Sequence, residues 1–150
     1  MASAKCGFND IPGGASGAAL LIFYGPTLVV NIGFDPAYKN IGVPVPGITG
    51  IHALVDTGAR ESCIDSTLAA QLNLPIVDRR LIAGVHGSLQ VNIHLAQVHV
   101  PSLVSTIYGA FAGVHLMAGG QPHKALIGRT FLQGYTMVYE GRTGNVTLSN

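Results

Sequence analysis

The stretch "ALVDTGA", residues 53 to 59, brings an apolar run directly to a carboxylate. The apolar run predicts a buried strand, and Asp56 stands where that strand gives way to a loop. Gly58 lets the backbone fold close to the carboxylate and offer its amide to it. Thr57 adds a small hydroxyl, and Ala59 leaves space beside it. The pattern predicts a carboxylate with a defined orientation, as acid–base chemistry requires.

A single aspartate is a poor catalyst for the cleavage of a stable bond. Two facing carboxylates share one proton, because both cannot ionise at close range. One can then act as a base toward a water while the other donates to the substrate carbonyl. The chain has no second Asp-Thr-Gly, since "IDST" (64–67) lacks the glycine.

Two segments together resemble the retropepsins, the retroviral-type aspartic proteases. Asp56-Thr57-Gly58-Ala59 resembles their active-site signature, and "ALIGRTFL" (125–132) resembles their apolar–apolar–Gly–Arg segment. The two motifs lie 129 − 56 = 73 positions apart. Between them, "AGVHG" lies where the family places its flap, a Gly-rich hairpin that closes over substrate. The resemblance covers residues 27–149 and is nearer to single-lobe cellular and bacterial members than to viral ones.

The resemblance implies an all-β fold, a closed acid-protease barrel lobe with one or two short helices. It implies a homodimer in which each subunit contributes one Asp56, and a water held between the carboxylates attacks the peptide carbonyl without a covalent intermediate. Because the chain has one such motif, activity would require the dimer. Neither a cofactor nor a metal is implied. The remaining site residues would be Thr57, Gly58, Ala59, Gly128 and Arg129 as support, and Arg60, Gly84, Val85, His86 and Gly87 as contacts to a peptide or protein substrate.

One position departs from the family's pattern. Viral members usually place an acid directly after this signature, where it pairs with the arginine of the second motif. Here that position is Arg60, and the acid follows at Glu61. Either Glu61 pairs with Arg129, or Arg60 points into the cleft and selects acidic groups.

The composition narrows the class of protein. Of the 150 residues, 48% are hydrophobic and only 10% charged, so we expect part of the apolar surface to be buried against another chain. The net charge of +1 without a basic cluster disfavours nucleic-acid binding. Two cysteines predict neither a disulfide framework nor a structural zinc site, and favour a reducing, cytoplasmic location. Residues 11–34 are uncharged, but their glycines and prolines argue against a membrane helix; a signal peptide stays open.

Turn and periodicity signals predict a loose arm over 1–17 and a single domain over 18–150. Asp65 or Ser66 would cap the one convincing helix, and Asn73 would end it in the left-handed conformation. The predicted elements are strands at 19–24, 27–34 and 48–56, a loop at 35–47, a helix at 64–75, a hairpin at 79–100 with a kink near 96–97, a strand pair within 103–117, a brief helix or turn at 129–134, and hairpin arms at 135–140 and 145–149.

Three functions remain at this point. The leading one is an aspartic endopeptidase. A catalytically silent dimerisation or peptide-binding module of the same fold is the alternative, and a processing domain excised from a longer precursor is the third. His94 and His99 have poor spacing for a metal, and Cys63 is expected to be a small buried residue rather than a nucleophile.

Overall fold

The computed structural model describes residues 2–34, 47–84 and 87–150. This part of the chain is mostly β-structure. The strands are β1 (Ser3–Lys5), β2 (Thr27–Gly33), β3 (Ile48–Val55), β4 (Cys63–Asp65), β5 (Ile76–Gly84), β6 (Gly87–Val100), β7 (Ser105–Val114), β8 (Ala125–Ile127), β9 (Thr136–Glu140) and β10 (Asn145–Ser149). The helices are α1 (Gly17–Tyr24), α2 (Ser66–Gln71) and α3 (Arg129–Leu132), with a 3-10 turn at Pro101–Leu103.

The larger sheet closes on itself. Its seven strands run in the order β2-β3-β8-β4-β7-β6-β5, and β2 also pairs with β6. This extra pairing joins the first and sixth strands of the order into a ring, with β5 attached outside it. Alternate residues of β2 and β3 point inward, among them Val30 and Ala53, both fully buried. The prediction of an all-β fold is therefore confirmed, but the described residues contain three short helices where one or two were expected.

The N-terminal segment is part of this fold, so the prediction of a loose arm over 1–17 is wrong for the described residues 2–17. β1 pairs antiparallel with β10, which pairs with β9 in a second, three-stranded sheet. Ala4 and Cys6 are buried in the same hydrophobic core as β2 and β3. The amide of Thr27 donates to the carbonyl of Cys6 (2.8 Å), which ties the segment to the start of β2.

The predicted strand at 19–24 is a helix instead. The side chain of Ser16 accepts a hydrogen bond from the amide of Ala19 (3.1 Å) and so caps α1. Gly25 ends α1 with φ of 74°, a conformation that favours glycine. An apolar run of this length fits a buried strand or a helix equally well, and the cap and the terminating glycine decide between them here.

Most other elements lie close to their predicted positions. β2 and β3 match, as do β9 and β10. α2 is shorter than predicted, because residues 63–65 form a strand. Asp65 does cap it, and Asn73 follows it with φ of 52°. The predicted loop at 35–47 lies almost wholly outside the described residues.

Two details of the long hairpin and its neighbour differ from prediction. The burial parity of β6 changes between Ile93 and His94, not near 96–97. The matching irregularity lies in β5, between Ile76 and Asp78. Residues 105–114 form one continuous strand and not a pair, because Gly109 takes φ of 121° without ending it.

Candidate active site

Asp56 follows directly on β3, where its backbone is held by the neighbouring strand. The amide of Asp56 donates to the carbonyl of Ile127 in β8 (2.9 Å), continuing the parallel pairing of the two strands. The amide of Gly58 donates to Oδ1 of the Asp56 carboxylate (2.9 Å), and the amide of Ala59 to the Asp56 carbonyl (3.2 Å). The carboxylate is half-buried and oriented by its own loop, as the sequence pattern predicts.

Gly128 and Arg129 lie directly behind this loop. The amide of Arg129 donates to the carbonyl of Ala59 (2.9 Å), and the amide of Thr130 to that of Arg60 (3.0 Å). A Cβ on Gly128 would lie 2.5 Å from the carbonyl carbon of Glu61, so only glycine fits at this contact. The two segments, 67 residues or more apart in the chain (128 − 61 = 67), form one unit.

The guanidinium of Arg129 bonds backbone, not a carboxylate. Its Nη1 donates to the carbonyl of Thr57 (2.8 Å), while the Arg129 side chain remains exposed. Among the described residues, the ion pair present is between Arg80 and Asp78, and none joins Glu61 to Arg129. Of the two alternatives for the departure from the viral pattern, pairing of Glu61 with Arg129 is therefore not formed within this chain. Arg60 is exposed on the loop.

Ser62 is a supporting residue that the sequence analysis missed. It is 7% exposed, and its Oγ accepts a hydrogen bond from the amide of Gly128 (3.0 Å). A hydroxyl a few residues beyond Ala59 is too common in loops to be informative alone. Its role is visible only once Gly128 lies against the loop, since the amide of a buried glycine needs an acceptor.

The flap residues are described only in part. Gly84 and Gly87 pair across the end of the β5–β6 hairpin, and Gly87 takes φ of 103°. The two glycines that flank the predicted tight turn are therefore paired with each other, as expected. Val85 and His86, at the predicted tip, lie outside the described residues. Thr57 is exposed, and its hydroxyl has no hydrogen-bond partner in the described part of the chain.

The cysteines are poor nucleophiles. Burial raises the pKa of the Cys6 thiol to about 11. Burial, aided by the carboxylates of Glu61 and Asp56, raises the pKa of the Cys63 thiol to about 11 as well. Within ranges 2–34, 47–84 and 87–150, no three His, Cys, Asp or Glu side chains gather in a metal-binding group.

A second carboxylate, Asp65, is buried for a structural reason. It is 1% exposed, and its oxygens accept hydrogen bonds from the amides of Leu68, Leu116 and Met117 (3.0–3.1 Å). One of these bonds caps α2, and the other two hold the segment after β7. The Asp65 side chain is fully engaged in this, whereas the Asp56 carboxylate accepts a single hydrogen bond within the described residues, from the amide of Gly58.

Comparisons with known proteins add no further constraint. No model of a protein family matches the chain, and no curated protein is similar enough to match it. No helix in the described residues has the length and apolar character needed to cross a membrane.

Proposed function

We propose that the protein is an aspartic endopeptidase with a retropepsin-like barrel that acts as a homodimer. Each subunit contributes Asp56 to a dyad at the two-fold axis. The observation that carries the proposal is the tie between two distant motifs: the Asp56 loop receives backbone hydrogen bonds from the Gly128-Arg129 segment (Arg129 N to Ala59 O, 2.9 Å). This support fixes the position of the Asp56 loop, as a catalytic carboxylate requires.

The proposed mechanism uses two protonation states of one residue type. With two Asp56 carboxylates close together, one keeps its proton because two negative charges at short range repel. The ionised one takes a proton from water, which attacks the scissile carbonyl, and the protonated one donates to the carbonyl oxygen. The Gly58 amide on Oδ1 fixes the carboxylate orientation.

The direct test replaces the carboxylate by its uncharged isostere. Asp56→Asn should lower kcat/KM for peptide cleavage by about 10³-fold or more, since a carboxamide cannot act as the general base. Unchanged circular dichroism would show that the fold persists. Glu140→Gln, at an exposed position of the β9–β10 hairpin, is the matched control and should cleave like the wild type. Normal cleavage by Asp56→Asn would show that the proposal is wrong.

The silent peptide-binding module remains the second candidate, because the exposed Arg60 stands where viral enzymes usually carry an acid. Dimers that bind peptides with equal affinity whether residue 56 is Asp or Asn, without turnover of any member of a broad peptide library, would favour that module. Asp56-dependent turnover of even one peptide excludes it.

A further inference from the structure

A cavity of about 370 Å³ lies beside β3, away from the loop that carries Asp56. This volume is within the range of roughly 300–1,000 Å³ that is usual for ligand pockets. Its walls include Phe8, Tyr24, Thr27, His52, Pro122 and His123. Phe8, Tyr24 and Thr27 precede β3 in the chain, and His52 lies in β3 itself. Phe8 and Tyr24 belong to residues 1–26, for which the retropepsin resemblance offers no counterpart.

The cavity and Asp56 share one face of β3. Successive residues of a strand point to opposite sides, and Ile51, Ala53 and Val55 are buried in the core. His52 is exposed and Leu54 half-buried, so both point to the outer side of the barrel wall. Asp56 continues this alternation. On this outer side of β3, Leu54 therefore lies between Asp56 and His52, which lines the cavity.

The neighbouring strands extend the same face. Thr27 pairs with Leu54 across β2 and β3, and Leu126 of β8 pairs with Leu54 on the other side. Thr27 and Leu126 are half-buried, which places them on the outer face with Leu54. The surface between Asp56 and the cavity is therefore apolar or hydroxyl-bearing and carries no charged side chain at these positions.

The walls of the cavity hold no fixed charge. The Thr27 hydroxyl donates to the carbonyl of Gly25 (3.0 Å) and so accepts from Nε2–H of His123 (2.8 Å). This fixes the neutral tautomer of His123 with its lone pair on Nδ1, which has no partner in the described residues. His123 is 2% exposed. Burial, and secondarily the neighbouring His52, lower the pKa of the His123 imidazole, which keeps this wall neutral.

We propose that this cavity receives an aromatic side chain of the peptide substrate, several residues away from the bond that is cut. This inference rests on the proposed function. A neutral lining disfavours a charged side chain, which would lose its hydration without gaining a partner. The rings of Phe8 and Tyr24 lie 5.9 Å apart with a tilt of 34°, a geometry that a third ring can extend.

The position of this substrate residue follows from the strand rise. His52 lies four residues before Asp56 (56 − 52 = 4), so the cavity is about 13 Å from the carboxylate at about 3.3 Å per residue. An extended peptide has a similar rise. The side chain thus belongs to a residue about three or four positions from the scissile bond. In a symmetric dimer the cavity occurs twice, so the preference should be found on both sides of the bond.

The test compares peptides that differ at one distal position. A peptide cleaved by the wild-type protein is varied to Phe, Leu, Ala, Lys or Asp at the third and fourth positions on each side of the cut, and kcat/KM is measured. We expect Phe to exceed Ala by about tenfold at one of these positions on each side of the cut, because the aromatic ring is transferred from water into the cavity. Lys and Asp should be no better than Ala.

Two variants of the cavity and one control separate this preference from general effects. Tyr24→Ala removes a wall, and His52→Trp fills the space from an exposed strand position; both should reduce the Phe preference to about twofold or less. Tyr139→Ala removes an exposed aromatic ring from β9, outside the cavity, and should keep the tenfold preference. Equal preference in all three variants, or selection of Lys or Asp by the wild type, would overturn the inference.

Failure of the proposed function would look different. Fluorescence polarisation of labelled Phe and Ala peptides with the Asp56→Asn protein measures binding without turnover. If no peptide is cleaved in an Asp56-dependent way, yet the Phe peptide binds more tightly and Tyr24→Ala removes the difference, the proposed activity fails and the cavity assignment stands. If Asp56-dependent cleavage occurs without any Tyr24-dependent side-chain preference, the cavity assignment fails and the activity stands.

Discussion

Gly128 lies closer to its neighbours than any side chain allows. A Cβ there would be 2.5 Å from the carbonyl carbon of Glu61 and 2.6 Å from its oxygen, and both are backbone atoms that cannot turn away. We expect Gly128→Ala to lower the free energy of unfolding by about 1–3 kcal/mol, as overpacked sites do, and to displace the Asp56 loop. Urea denaturation and the peptide assay measure the two effects.

The control for this prediction is Gly134→Ala at the end of α3. There a Cβ would meet its nearest atom at 3.8 Å, an ordinary contact, and φ is not positive. Its unfolding free energy should stay within about 0.5 kcal/mol of the wild type. Equal effects of the two substitutions would mean that the close contact between Gly128 and Glu61 does not support the loop.

The buried imidazole of His123 should make the free energy of unfolding depend on pH. Burial lowers its pKa in the folded protein below the ordinary value of 6.5, so the unfolded chain binds the proton more readily. Its contribution to stability is therefore present above pH 6.5 and is lost as the pH falls toward the folded pKa. Unfolding free energies at pH 7 and pH 5 should differ more for the wild type than for His123→Asn. An identical difference in both proteins would exclude this role.

At the scale of the element, β1 shows what a short segment contributes to the core. Ala4 is 4% exposed, whereas Ser3 and Lys5 beside it are exposed, so one side chain in three faces inward. Ala4→Glu should lower the free energy of unfolding by about 3 kcal/mol or more, because it buries a charge without a partner. Ser3→Glu places the same group in water and should change it by less than about 0.5 kcal/mol. Equal tolerance would mean that the Ala4 side chain does not face the core.

β1 and α1 are also the elements that the sequence could not predict. Residues 1–17 are rich in Gly, Ala and Ser, which indicates a loop, and the strand exists only because β10 offers an edge for Ser3–Lys5. That partner is about 140 residues away in the chain, beyond any local pattern. α1 has an apolar residue at nearly every position, so neither period is visible. By contrast, the hairpin of β9 and β10 was predictable because its turn signal lies between its own arms.

At the scale of the whole molecule, the local parts of the site were predictable and the contacts between distant parts were not. Asp56, Gly58 and Ala59 interact with each other, so a short motif contains their geometry. Two hydrogen bonds depend on how β8 lies beside β3 and β4. One runs from the Arg129 guanidinium to the Thr57 carbonyl, and the other from the Gly128 amide to the Ser62 hydroxyl. One of the two alternatives drawn from the sequence paired Arg129 with Glu61, because an acid is the usual partner of this arginine in viral enzymes. The folded chain places a backbone carbonyl there instead.

A dyad shared between two subunits and a self-sufficient subunit differ in the activity expected of mixed dimers. When wild-type and Asp56→Asn proteins are mixed in equal amounts and allowed to exchange subunits, random pairing leaves about one dimer in four with two aspartates. Activity should then be about a quarter of that of the same total amount of wild-type protein. Independent active sites would give about half, because half of the chains carry the carboxylate. Dilution of the wild type should also lower its specific activity, since dimers dissociate at low concentration. Activity at the half value, with specific activity independent of dilution, would place the whole catalytic apparatus in one chain.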